Sequence, residues 1–333
     1  MGTYSTSSKG KSKQDMPLKD RVINTTITVL LLFGIFSLLP YYIPAASLKQ
    51  EPRDLVFEES DFRVVSGVNL HYRVWESKGS SLGNIVLVHG YGGSTFSWRH
   101  TAPALSEARY RVVAVDLPGF GLSERRHGLD HSQAGRANLL WTLLNRIAPD
   151  ESWHLVGHSI GGGTVAEMAL QQPGRVDTVT FVSADIYKSP SRVGKLFSSY
   201  RPIRQWVKIL GPRIFFSGER LKSIISSAYG REPDEGEFQG YRLPLNIAGS
   251  DAVLADLTGQ GSGTVGPVSS LSVPALCIWG EKDSWAPLAR GEELSKQLTQ
   301  GELVIIKDEG HCPMETAPQE FNKSFLQFLQ DHP

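Results

Sequence analysis

The chain is poor in cysteine: its 333 residues carry two, Cys277 and Cys312. That excludes a disulfide framework, and no cluster of His, Cys, Asp and Glu stands at the short spacing a metal site needs. Neither a metal nor an organic cofactor is expected. Both cysteines read as free thiols, Cys277 in a buried strand and Cys312 directly after a histidine, with a disulfide between them as the alternative. Net charge is also lacking, because 34 Lys and Arg balance 34 Asp and Glu. No global basic field exists to recruit nucleic acid. Internal repeats and low-complexity tracts are absent, and no feature calls for an obligate protein partner. What is present is an ordinary apolar fraction, 40%, on a chain long enough for one large domain with an insertion or for two ordinary domains.

A further absence is local. No charged residue occurs from Val22 to Ser47, after a polar, basic leader that carries Lys9, Lys11, Lys13, Lys19 and Arg21. The run Ile27 to Leu39 is almost wholly apolar and ends near Tyr41 and Tyr42. Such a length crosses a bilayer as a helix, with the tyrosines at the interface. The sequence therefore predicts a leader over 1–21, a transmembrane signal-anchor over 22–44 and a linker over 45–60. The leader's charge places the N-terminus in the cytoplasm and the remainder outside it. A cleaved signal peptide competes, with Ala45-Ala46-Ser47 as cleavage site, and would give a secreted protein. A buried core helix is disfavoured because the run is not amphipathic. Met1-Gly2 opens a loose myristoylation pattern, read as accidental.

Downstream, β-branched and apolar runs alternate with helical patterns. Strands are expected over 62–65, 69–75, 84–89, 110–116, 153–158, 176–183, 275–279 and 302–307, with helices over 96–107, 131–147, 286–297 and 318–330 and another starting at Ser159. Alternation of this kind predicts a mainly parallel, doubly wound α/β sheet. The rhythm breaks over 187–266, where helical stretches interrupted by Pro190, Pro202, Pro212, Pro233 and Pro244 replace strands, ending in a Gly/Ser/Thr-rich joint over 259–266. One α/β core, 61–186 and 267–333, is thus interrupted by a helical cap over 187–266.

The chemistry centres on Gly157-His158-Ser159-Ile160-Gly161, between an expected strand and an expected helix. A G-x-S-x-G turn in that setting pushes a serine hydroxyl out at the sheet edge, and glycine flanks avoid collisions with neighbouring backbone. A serine hydroxyl needs a base, and the base needs an orienting carboxylate. His311 and Asp283 both stand just beyond expected strands, at the edge that presents Ser159. The order Ser, Asp, His is the one such sheets use. Asp185, also at a strand end, is a rival acid, and Asp283 could instead only cap the next helix. His158 is expected to pack or orient, and His89 to stabilise its loop. Oxyanion donors are expected from the backbone N–H groups of Ile160, at a helix N-terminus, and Tyr91, in the glycine-rich loop after His89.

Five motifs in order carry a resemblance: His89-Gly90-Tyr91-Gly92-Gly93-Ser94 with Trp98-Arg99, Asp116 to Ser123, the serine pentapeptide, Gly280-Glu281-Lys282-Asp283, and Gly310-His311-Cys312 onward to Pro318. Together, over roughly residues 55–330, they resemble the lidded α/β-hydrolases, the group with epoxide hydrolase-like, carbon–carbon hydrolase and esterase or lipase members. The resemblance implies that the 187–266 insertion is the cap. Epoxide hydrolases and haloalkane dehalogenases carry aspartate where Ser159 stands, so serine implies an acyl-enzyme route. The expected function is a membrane-anchored serine esterase or lipase acting on small-molecule or lipid esters. The alternatives are a carbon–carbon hydrolase, a haloperoxidase-like perhydrolase and, from another class, a non-catalytic binding protein. Apolar residues such as Trp206, Leu210 and Phe215, interleaved with Arg201, Arg204, Lys208 and Arg213, incline the reading toward lipid, although the same residues would serve simply to pack the cap.

Overall fold

The computed structural model describes residues 17–44, 50–184, 186, 199–260 and 265–333, with backbone alone for 258–260. Gly2 and most of the basic leader, the possible cleavage site at 45–47, Asp185, Pro190 and part of the glycine-rich joint lie outside the described residues.

Helix α1 (Leu18–Leu38) is followed at once by a single 3-10 turn, Leu39–Tyr41. No residue of α1 is buried, which removes the core-helix reading. Among the described residues, Leu18–Tyr41 is the one helical segment long and apolar enough to cross a membrane. It starts before the expected Val22, just after Pro17, whose fixed φ suits the entry to a helix.

A hairpin of β1 (Ser60–Val65) and β2 (Val68–Trp75) opens the α/β body, followed by β3 (Asn84–Val88), α2 (Thr101–Glu107), β4 (Arg111–Val115) and α3 (Gln133–Ile147). The next elements are β5 (Trp153–His158), α4 (Ile160–Gln171) and β6 (Val176–Val182). Among the described residues, four helices occupy the expected cap: α5 (Arg201–Phe215), α6 (Gly218–Tyr229), α7 (Glu235–Leu245) and α8 (Ser250–Gln260). The chain closes with β7 (Ala275–Gly280), α9 (Leu288–Gln297), β8 (Gly301–Ile306), the short α10 (Pro313–Thr316) and α11 (Pro318–Asp331).

The eight strands form one sheet in the order β1-β2-β4-β3-β5-β6-β7-β8. Pairs β1·β2 and β2·β4 are antiparallel and the other five are parallel. Successive strand side chains alternate faces. Val86, Val88, Val113 and Val115 join the apolar cluster that includes α3 and α4 residues, while Ile85, Leu87, Val112 and Ala114 join the cluster that includes Leu105 and the α11 phenylalanines. With both faces covered, β3 and β4 read as nearly unbroken apolar runs.

Two expectations fail locally. The helix expected over 96–107 is a 3-10 turn, Thr95–Trp98, and then α2. A continuous helix would place Pro103 inside it, with no N–H for the Arg99 carbonyl and its ring against that carbonyl. Conversely, Pro212 and Pro244 do not break the cap helices but lie inside α5 and α7. Each leaves the carbonyl four residues earlier, that of Lys208 or Gly240, without its usual helical donor, and the helix ends within a turn.

Candidate active site

The parallel strands deliver the site. Ser159 follows β5 directly, in the left-handed region at φ 51° and ψ −119°. A non-glycine residue there is strained and persists only when its surroundings hold it. The Ser159 N–H donates to the Val182 carbonyl at 3.0 Å, and its own carbonyl accepts from Gly162 N–H at 3.0 Å. A β-carbon on Gly157 would stand 2.4 Å from the Gly161 carbonyl oxygen, and one on Gly161 would stand 2.5 Å from that of Val88. The turn therefore forms only with glycine on both sides.

His311 lies in the loop after β8 and Asp283 in the loop after β7. The Nδ1–H of His311 donates to Asp283 Oδ2 at 2.8 Å. The other oxygen, Oδ1, accepts from the N–H groups of Trp285 and Ala286, each at 2.8 Å. Burial raises the Asp283 pKa, but the His311 contact and these two amides outweigh it and leave the carboxyl below its ordinary value. An ionised Asp283 only accepts, so the assigned tautomer carries its proton on Nδ1 and leaves Nε2 as acceptor. Helix α9 begins only at Leu288, so Asp283 is not its N-cap.

The His311 ring stacks on Trp285, with centroids 5.4 Å apart, and packs against His158 at 4.8 Å. Its backbone is held as well: the His311 N–H donates to the Ala228 carbonyl of α6 at 2.7 Å, and its carbonyl accepts from His158 Nε2 at 2.9 Å. Burial and the nearby charge of His311 lower the His158 pKa to about 3, so His158 is a neutral prop. The Ser159 hydroxyl and the His311 ring share one cavity wall without a hydrogen bond between them. Bonds of this kind commonly close only when substrate is bound.

The loop after β3 runs beside the serine: a β-carbon on Gly90 would stand 2.9 Å from Ser159 Cβ. His89 holds this loop, accepting from Leu117 N–H at 3.0 Å and donating through Nδ1–H to the Gly90 carbonyl at 2.7 Å. Among the described residues the Tyr91 N–H has no partner. Ile160 is the first residue of α4, where a backbone N–H has no intrahelical acceptor. Asp116, fully buried, accepts from His71 Nδ1 and from the amides of Thr95 and Leu122, each at 2.6 Å, and so ties β4 to this loop system.

A cavity of about 700 Å³ lies over these residues. Its floor includes Gly90, Tyr91, Ser159 and His311, and its roof is overwhelmingly apolar, with Trp206, Leu210, Ile225 and Leu254 from the cap and Phe36 from α1. A polar clamp flanks it. The buried Glu315 carboxylate accepts from Tyr229 at 2.6 Å, from Tyr241 at 2.5 Å and from Arg99. Arg99 also reaches Glu237 at 3.4 Å, and Glu237 pairs with Arg231 at 2.7 Å. Two core residues, Arg99 and Glu315, thereby fasten α6 and α7.

Comparisons with known proteins agree with this architecture. Residues 83–208 match the family described as alpha/beta hydrolase fold. The uncharacterized hydrolase YugF of Bacillus subtilis is 27% identical over 274 residues, 80% of this chain and 96% of that protein. A pimeloyl-[acyl-carrier protein] methyl ester esterase of Aeromonas salmonicida is 28% identical over 251 residues, 72% of this chain and 92% of its own. The chain has the α/β-hydrolase fold. Among solved structures, a bacterial membrane phospholipase A superposes on this hydrolase with a TM-score of 0.68 at 20% identity, covering 94% of this chain and 99% of its own. A meta-cleavage product hydrolase from Pseudomonas fluorescens gives a TM-score of 0.66 at 21% identity, over 82% and 98% of the two chains.

The structure brings Ser159, His311, Tyr91 and Ile160 to one cavity wall or its immediate backbone, with Asp283 behind the histidine. Sequence reasoning overlooks three features of this hydrolase. Trp285 stands two residues after Asp283, and its aromatic type beside a candidate acid was an available signal. Arg99 and Glu315 sit inside recognisable motifs, but nothing local shows that they meet. Phe36 carried no signal at all, being one apolar residue in an apolar run.

Proposed function

We propose that this α/β-fold hydrolase is a membrane-anchored serine enzyme that cleaves carboxylic esters with apolar acyl groups. The observation that carries the reading is the His311–Asp283 hydrogen bond, in the tautomer that leaves Nε2 free, under the same apolar roof as a serine on a strained strand-to-helix turn. In this reading Ser159 Oγ attacks the ester carbonyl while His311 Nε2 takes its proton. His311 then returns that proton to the leaving alkoxide, and water repeats the sequence on the acyl-enzyme to release the acid. Asp283 stabilises the imidazolium. The Tyr91 and Ile160 amides receive the oxyanion, a contribution worth several kcal/mol to such reactions.

The membrane part of the reading rests on the unburied α1, with the cap and core outside the cytoplasm. The membrane phospholipase A among the similar structures supports it, and the methyl ester esterase supports the ester part. The meta-cleavage hydrolase neighbour favours the carbon–carbon rival, yet so apolar a roof suits an acyl chain better than a charged diketone acid. The purified full-length protein, assayed on 4-nitrophenyl esters from acetate to palmitate and on vinylogous diketones, decides between them. Ester turnover that rises with chain length is expected; diketone cleavage without ester turnover would overturn the reading.

A further inference from the structure

The cavity roof contains a residue from the helix that is apolar enough to cross a membrane. Phe36 of α1 lines the cavity, and its ring stacks on Trp206 of α5 with centroids 5.8 Å apart. The contact is more than a touch of rings. Trp206 Nε1–H donates to the Phe36 carbonyl at 2.9 Å. That carbonyl belongs to the last turn of α1, where it has no intrahelical donor and where hydrocarbon would offer none. One turn earlier, Phe33 stacks on Tyr200 at 5.9 Å, and Ser37 Oγ lies 2.6 Å from the Tyr200 hydroxyl. Phe36 precedes Tyr41, the end of the apolar helical segment, by five positions, roughly 8 Å along a helix. If α1 spans the bilayer, this part of the cavity wall lies within its apolar depth.

Helix α5 continues the same surface. Leu210, Ile214 and Phe215 line the cavity yet are 40%, 47% and 44% exposed. Residues that face both the cavity and the outside form a doorway, and an apolar doorway suits an apolar medium. The basic residues interleaved on α5 fit the neighbouring headgroup layer.

We propose that α1 and α5 together form a bilayer-facing doorway to the cavity, and that the acyl chain of the ester substrate passes directly from the membrane into the site past Phe36 and Trp206. The occupant of this surface is the lipid bilayer itself. The inference rests on the ester-hydrolase reading and adds that the anchor is a wall of the acyl site as well as a tether.

The test uses full-length enzyme in phosphatidylcholine vesicles with a fluorogenic palmitate ester dissolved in the bilayer and a water-soluble butyrate ester. Phe36→Ala and Trp206→Ala should each lower the palmitate-to-butyrate ratio of kcat/KM by about tenfold or more, the scale on which apolar pockets discriminate. Phe36→Leu, which keeps bulk but loses the ring, is read by the same ratio in case the alanine variants fold poorly. Palmitate ester placed in the enzyme's own vesicles should be hydrolysed at least about tenfold faster than the same amount in separate vesicles. Ratios within twofold of wild type in all three variants, or equal rates from the two vesicle populations, would overturn the doorway. Absence of butyrate hydrolysis by the wild type, or its persistence in Ser159→Ala, would instead overturn the underlying serine-esterase reading.

Discussion

The floor of the cavity is built from side chains committed to hydrogen bonds, whereas its roof is held largely by aromatic and aliphatic packing. Behind that floor, Asp283 receives three donors and Asp116 three. In the roof, α5 meets α1 mainly through stacked rings, with Trp206 giving its single indole N–H to a helix-end carbonyl. Reaction chemistry tolerates errors of only a fraction of an ångström, so the floor is locked. A chain-binding surface needs shape and apolar area, and those allow adjustment.

Changes to the floor should therefore be severe and independent of substrate. On the proposed mechanism, Asp283→Asn lowers kcat by roughly 10⁴-fold for every ester, as loss of the orienting carboxylate does in such triads; stopped assays across chain lengths check this. If Asp185→Asn gave that loss while Asp283→Asn stayed mild, the acid assignment would pass to Asp185.

The clamp tests the border between the two regions. Glu315→Ala leaves the half-buried Arg99 without its main partner, and removing one member of a buried ion pair costs at most about 3–5 kcal/mol. Denaturant unfolding should show a loss up to that size, and a smaller one for Glu315→Gln, which keeps an acceptor for the two tyrosines. Equal losses would mean that the charge itself, not packing or the tyrosine hydrogen bonds, holds the cap here.

His158 makes the floor sensitive to acid. In the fold it stays neutral down to about 3, whereas in the unfolded chain it protonates near its ordinary value of about 6.5. Across that window the unfolded state binds the extra proton, so stability falls as pH drops from 6.5 toward 3. Asp283 adds to the loss at the acid end, since its carboxyl is held below the usual value. His158→Gln should flatten the decline between pH 6.5 and 4 in unfolding experiments; an unchanged slope would exclude His158 as its source.

Crowding alone is tested by Gly157→Ala, whose methyl meets the Gly161 carbonyl oxygen at 2.4 Å and forces the backbone of the serine turn to shift. Overpacking of this kind costs about 1–3 kcal/mol. Thermal melts compared with Gly67→Ala, where no atom stands within 4 Å and only the left-handed backbone is strained, separate crowding from conformational strain.

Floor and roof also differ in how far sequence reveals them. Strands β3 to β7 are legible because burial on both faces demands largely apolar runs, and the turn at Ser159 because only glycine fits beside it. His311 and Asp283 are legible as a pair only because each follows an apolar strand of the same sheet. The meeting of Arg99 with Glu315, and of Phe36 with Trp206, joins segments more than 150 residues apart. No local period or motif records those contacts; they arise only once the sheet and cap have brought the segments together. The break before α2 was visible in Pro103 but was hidden by the helical pattern around it.

The central claim, that Ser159 is a nucleophile activated by His311, is tested most directly by a fluorophosphonate probe. One covalent adduct is expected on folded full-length protein, located at Ser159 by peptide mass spectrometry and lost in Ser159→Ala. Folded protein that takes up no probe, or that carries the adduct elsewhere and keeps it in Ser159→Ala, would contradict the account.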